Sequence, residues 1–222
     1  MKIIDVPQTG KCGLTVTFPS RNGLIRRAWV VPANPRSPDQ TVVRSNLSSV
    51  ASLWKQISEA QQDAWITAAG QEQSRPTLGQ SGPLTGLQLF TKINATLPKL
   101  GEAVVSDPPA KPQFPQLPVT ALEITNTAGT IALKLACSDD LELNTVVYGA
   151  PPQSAGTRRP ITWRWLGICP TVSGGYSTIT TLYTDEYGVP AVGSRIFVRV
   201  REHVDGWAGP EQIFQATVPT AA

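Results

Sequence analysis

Five prolines fall between Pro108 and Pro118, within LGEAVVSDPPAKPQFPQLPVT. Proline fixes φ and removes the backbone donor, so neither a helix nor a central strand runs through such a stretch. The chain is therefore expected to divide around an extended, semi-rigid linker over 103–118. Charge changes at the same place. Residues 1–99 carry eleven basic and five acidic side chains, and residues 100–222 carry eight and eleven. A net +6 thus precedes a net −3. With 222 residues, 41% of them apolar, the chain has material for a sizeable core. Its low charge content (16%), 20 prolines and 18 glycines favour short strands and turns over a helical bundle.

Before the linker two patterns follow one another. Leu14, Val16 and Phe18 alternate with polar residues, Pro19–Gly23 supplies a turn with Asn22-Gly23 as its sharpest signal, and Leu24–Val31 resumes the alternation. A β-hairpin arm over 1–34 is predicted, too small to be stable alone. The period then lengthens to that of a helix. Ser37-Pro38-Asp39-Gln40 has the form of a helix start, with Val43, Leu47, Val50, Trp54 and Ile57 as one apolar stripe. Ser58-Glu59-Ala60-Gln61 repeats that start and leads through Ala64, Trp65, Ala68 and Ala69 to Gly70, a glycine suited to a C-cap. A sharp corner at Ser58 is predicted. Thr85-Gly86-Leu87-Gln88 opens a third helix carrying Leu87, Phe90, Ile93, Asn94 and Leu97, after a loop QSRPTLGQSGP. These residues define a helical unit over 35–102.

After the linker, seven short β-branched and aromatic segments are separated by Gly, Pro, Asp or Ser: ALEITNT, TIALKLACS, NTVVYGA, ITWRWLGI, YSTITTLYT, SRIFVRVREHV and EQIFQATVP. Their spacing predicts an antiparallel β-sandwich over 119–222. In the sixth segment Ile196, Val198 and Val200 alternate with Arg195, Phe197, Arg199 and Arg201, giving one apolar and one largely basic face. The fold class expected is thus mainly β with a small α-helical unit.

Several chemistries find little footing. The single histidine, His203, lies beside Glu202 and Asp205 but has no nucleophile at a recognisable motif. Cys12, Cys137 and Cys169 are odd in number and lack CxxC spacing, so free thiols are expected rather than a disulfide framework or a zinc site. Asp139, Asp140 and Glu142 lack the spacing of a calcium loop and read as an acidic turn. No enzyme activity, catalytic residue, cofactor or metal is therefore expected. Val6–Pro38 contains no acid while Lys11, Arg21, Arg26, Arg27 and Arg36 accumulate around Phe18 and Trp29. That is less charge than specific nucleic-acid proteins concentrate, and a protein contact or a solvated hairpin is the preferred reading. No apolar run reaches eighteen residues, and MKIIDVPQTGK lacks the features of a Sec signal, so neither a membrane segment nor Sec export is expected. Trp163 and Trp165 alternate on one strand and so share a face, which with Trp207 and Tyr176 offers a candidate platform for sugar rings against the commoner role of core packing.

The C-terminal hundred residues resemble a fibronectin type III-like module. The resemblance rests on the proline-rich lead-in, Ile131–Leu135, Trp163 and Trp165, Tyr183, Arg195–Val200, the turn Val204–Pro210 and the closing Ile213–Val218. It departs from that pattern in a longer Ala150–Pro160 insertion and in lacking a tryptophan near the first strand. Segment 34–94, with Asn34–Gln40, Trp54–Trp65 and Ser81–Phe90, resembles a segment of uncharacterised bacterial and phage-associated proteins that often precedes an immunoglobulin-like domain. Trp54 through Trp65 also echoes the HMG box, read as convergence on one corner geometry. The resemblance implies a structural protein of a virion, a phage-derived particle or another extracellular assembly, reached after cytoplasmic synthesis. The small hairpin arm, the small helical core and the strand edges of the sandwich lead to the expectation of a non-enzymatic assembly protein whose partners are copies of itself or neighbouring subunits, with Trp29, Val30, Val31, Trp54 and Trp65 as candidate assembly contacts. The alternative expectation is an adhesion or binding module that recognises carbohydrate or protein through the sandwich, with Trp163 and Trp165 as its aromatic face.

Overall fold

The structure is a computed structural model and describes residues 9–20, 23–31, 33, 34, 36–74, 81–142 and 144–221. Met1–Gln8, Arg21 and Asn22 of the hairpin turn, Pro32, Pro35 and residues 75–80 of the loop before the third helix lie outside the described residues. Two compact units are present. One takes the chain to Ala95 together with Ser106–Pro108, and the other comprises Thr96–Val105 and everything from Pro109.

In the first unit the alternating segment forms β2 (Thr15–Ser20) and β3 (Gly23–Ala28), paired antiparallel in a register that sets Phe18 opposite Ile25 and Ser20 opposite Gly23. A short β1 (Gly10–Cys12), absent from the sequence reading, adds to the other edge of β2. The helices begin where their caps place them. Ser37 accepts from Gln40 N ahead of α1 (Pro38–Trp54), while Ser58 with Gln61 and Thr85 with Gln88 complete capping boxes ahead of α2 (Glu59–Gly70) and α3 (Gly86–Asn94). The corner between α1 and α2 is closed by Gln62 Nε2 donating to Trp54 O at 3.0 Å. Its centre is Phe90, whose ring meets Trp54 and Trp65 edge-on, each at 5.2 Å between centroids. Val50, Trp65, Ala69, Leu89, Phe90 and Ile93 are buried in this unit. Close approach of α2 and α3 requires Gly86, since a Cβ there would stand 2.8 Å from Ile66 Cγ1.

Between Glu102 and Pro118 no helix or strand forms, and the segment is fastened rather than free. Trp65 Nε1 donates to Ser106 O at 2.7 Å and Gln61 Nε2 to Asp107, both within the first unit. Within the second unit Trp207 Nε1 donates to Pro109 O at 3.1 Å, and Phe114 packs against Gly209, where a Cβ would stand 2.7 Å from the ring.

The second unit opens with a 3₁₀ turn (Leu97–Leu100), and each of the seven segments read after the linker contributes a strand. β4 (Val119–Thr127), β5 (Thr130–Cys137) and β8 (Tyr176–Thr178) form one antiparallel sheet in that order. β6 (Thr145–Gly149), β7 (Arg164–Ile168), β9 (Arg195–Val204) and β10 (Trp207–Thr217) form the other, in the order β10-β9-β6-β7. Leu122, Ile131, Leu133 and Leu135 from the first sheet share one buried core with Val147, Ile196, Val198 and Val200 from the second. The fifth segment corrects the sequence reading. Only Tyr176–Thr178 is strand, and α4 (Thr180–Tyr187) follows at once. The helical i, i+4 spacing brings Tyr183 and Tyr187 side by side, and their hydroxyls donate to Ala150 O (2.9 Å) and Gly149 O (3.0 Å) at the end of β6. Those two bonds and the burial of Tyr183 outweigh the β preference of its threonines.

Phe90→Ala is expected to destabilise the first unit by about 3–5 kcal/mol, because it empties the contact between both tryptophans. Urea unfolding followed by tryptophan fluorescence measures it, and a loss below about 1 kcal/mol would contradict Phe90 as the centre of this core.

Candidate functional site

Two surfaces gather the residues singled out by the sequence. On the first, β1–β3 buries almost nothing: of its described residues only Thr17 is buried. Leu14 is 80% and Val30 72% exposed, and Leu24, Trp29 and Val31 are exposed with them. Lys11 Nζ lies 3.4 Å from the Trp29 ring centroid and Arg27 Cζ 5.4 Å from that of Phe18, so the basic side chains lie over the aromatic ones. The apolar stripe of α1 is divided along its length. Val50 is buried and Trp54 half-buried, whereas Val42, Val43 and Leu47 in the preceding turns are exposed.

Of the candidate assembly contacts, Trp29, Val30 and Val31 are therefore on the surface, and Trp54 is half covered. Trp65 is not available. It is fully buried against Phe90 with its indole N–H committed to Ser106, so it anchors the helical core and is withdrawn from the contact set.

The second surface is the outward face of β10-β9-β6-β7. Because Ile196, Val198 and Val200 turn into the core, Phe197, Arg199 and Arg201 stand outward with Tyr148, Trp165, Ile213 and Gln215 on neighbouring strands. Trp165 meets Tyr148 edge-on at 5.6 Å. Arg199 Cζ lies 4.4 Å from the Tyr148 centroid and 5.1 Å from that of Trp163, and its Nη1 pairs with Glu211 at 3.2 Å. Trp163 and Trp165 thus share one face, both half-buried and laced with guanidinium. Beside Trp163 an open cavity of about 520 Å³ is lined by Arg158, Arg159, Pro160, Trp163, Phe197, Ile213 and Gln215. Strand alternation marked the face, but the cavity depends on where the 150–160 loop lies, which no periodicity encodes. The other aromatic candidates do not join this face: Trp207 is buried, and Tyr176 stands on β8 of the other sheet.

Glu202 and His203 are consecutive on β9 and so project to opposite faces. Glu202 lines a smaller cavity of about 220 Å³ with Asp139, Asp140, Glu142 and Thr145, where burial and the nearby Glu142 raise its carboxyl. Among the described residues no three metal-ligating side chains converge there or elsewhere. Cys137 and Cys169 are free, half-buried thiols, and burial pushes Cys169 up to about 11. Among the described residues no helix is long and apolar enough to cross a membrane. Comparison with known protein families, with curated proteins and with solved structures gives no match.

Both ring nitrogens of His203 are buried without a hydrogen-bond partner, and burial with the nearby Arg201 pushes its pKa down to about 4. The unfolded chain takes up this proton near pH 6.5 but the fold only near 4, so acidification across that window destabilises the fold. Glu202 works in the opposite sense, since a raised carboxyl is relieved by protonation. His203→Leu separates the two. Its unfolding free energy relative to the unsubstituted chain is expected to rise by up to ~3 kcal/mol on going from neutral pH to about 4, and a pH-independent difference would contradict a buried neutral imidazole.

Proposed function

We propose that this chain is a non-enzymatic structural protein that assembles with copies of itself or with neighbouring subunits. One observation carries the reading. Leu24 on β3, Leu14 in the turn before β2, Trp29, Val30 and Val31 just after β3, and Val42, Val43 and Leu47 on the outer turns of α1 are all exposed to water. A three-stranded sheet with one buried residue among those described is a poor candidate for independent stability, and the exposed apolar side chains on and after it and on the outer turns of α1 are what we read as sites of contact. The charges of the two halves, net +6 and then net −3, would favour a contact between the first half of one copy and the second half of another. Head-to-tail contacts of that kind propagate into rings or filaments.

The second unit then serves as a rigid spacer or displayed module. Its strand orders, β4-β5-β8 against β10-β9-β6-β7, support a fibronectin type III-like sandwich, with α4 on the connection from β8 to β9. The setting we propose, a virion, a phage-derived particle or another extracellular assembly, rests on the resemblance read in the sequence of segment 34–94. A second reading, a module binding carbohydrate or protein, is favoured by the open cavity beside Trp163.

Light scattering of the purified chain across a concentration and salt series tests the assembly reading. The mass is expected to grow from 23.8 kDa into defined multiples. Trp29→Ala and the pair Val43→Ser with Leu47→Ser are expected to shift that growth to higher concentration while changing folding stability little, since all three side chains are exposed. A 23.8 kDa monomer at every concentration would overturn self-assembly.

A further inference from the structure

The loop that carries Arg158 and Arg159 is held in place. Gln153 and Arg195 exchange two backbone hydrogen bonds, of 2.9 and 2.8 Å, and Arg195 Nη1 donates to Thr157 O at 3.0 Å. The chain therefore reaches the two arginines from a fixed point on β9. Phe197, on the outward face but only 2% exposed, lines the same cavity as Arg158, Arg159 and Pro160 of the loop. Loop and sheet together shape the cavity of about 520 Å³.

Cations on this face differ in how they are satisfied. Arg199 is paired with Glu211 and stacked on Tyr148 and Trp163, and Arg201 Nε donates to Gly209 O at 2.6 Å. Arg158 and Arg159, both exposed, make no ion pair among the described residues. Two adjacent guanidiniums without a counter-charge favour an anion between or beside them, and their forked donors suit carboxylate and sulfate. The rest of the lining is amphipathic. Trp163 and the exposed Ile213 offer flat apolar area, and Gln215 offers an amide able to donate and accept. Pyranose rings have that mixed character, apolar on their C–H faces and polar at their edges, and an open-sided cavity lets a chain of them pass.

We propose that this cavity binds an acidic saccharide, with a sugar ring against Trp163 and its carboxylate or sulfate held by Arg158 and Arg159. The proposal rests on the binding-module reading of the second unit and is independent of the assembly reading.

Calorimetric titration of the full chain tests it with four probes: hexagalacturonate, a heparin hexasaccharide, maltohexaose and inorganic phosphate. Saturable binding of at least one acidic hexasaccharide is expected, weakened by raising salt from about 50 to about 300 mM. Arg158→Ala with Arg159→Ala is expected to weaken it about tenfold or more, and Trp163→Phe to weaken it further. Lys55→Ala with Lys99→Ala removes the same charge elsewhere and is expected to leave it unchanged. Equal loss in that control, or none in the arginine pair, would overturn the site. Binding of maltohexaose as tight as that of the acidic sugars would overturn the acidic specificity while leaving the binding-module reading standing. Displacement of the sugar by an equal concentration of phosphate would reduce the site to a plain anion site and overturn sugar recognition. No binding of any saccharide would overturn the site and the carbohydrate form of the module reading, leaving only its protein-binding form.

Discussion

In the second unit Leu133, Leu135, Val147, Ile196, Val198 and Val200 are removed from water inside a core that two sheets share, and the rest of the unit hangs on that burial. Burying each such side chain contributes about 1.5–3 kcal/mol, enough in sum to fix strand register against slippage. Once Ile196, Val198 and Val200 face inward, the pleat leaves Phe197, Arg199 and Arg201 no choice but the outer face. The interior of β9 thus determines the chemistry of its exterior. Arg199 is held between two rings and a carboxylate because its neighbours on the strand are core residues.

Among the described residues the first unit shows a smaller interior. Its burial is concentrated where α1 ends, α2 turns and α3 returns, around Trp54, Trp65 and Phe90. Among the described residues Leu14, Leu24, Trp29, Val30, Val31, Val42, Val43 and Leu47 are apolar side chains left exposed in this unit. A surface of that kind is costly to leave in water, and contact with another molecule removes the cost. The same imbalance accounts for the proposed division of labour, with one unit complete in itself and the other completed by a partner.

Local signals made much of this fold legible. Ser37, Ser58 and Thr85 placed three helix starts because capping is a matter of a few neighbouring residues, and the strand segments were visible because a half-buried strand alternates. Where distant residues decide, the sequence was less informative. Thr180–Tyr187 looked like strand because its two decisive bonds go to Gly149 and Ala150, more than thirty residues earlier. Trp65 reads as a contact because helical spacing does not say whether the apolar face of a helix is enclosed by its own chain or by a partner. The cavity was hidden for a similar reason. Arg158 and Arg159 lie in a loop without period, and it is the bonds from Arg195 to Gln153 and Thr157 that fix the loop whose arginines line one cavity with Phe197.

Amide hydrogen exchange of the full chain, recorded in dilute and in concentrated solution, tests residue by residue whether a partner completes the first unit. Amides of β1–β3 and of the first turns of α1 are expected to exchange quickly when dilute and to gain protection on concentration, while those of β5, β6 and β9 stay protected throughout. Protection of β1–β3 that is already high in dilute solution and indifferent to concentration would contradict the need for a partner.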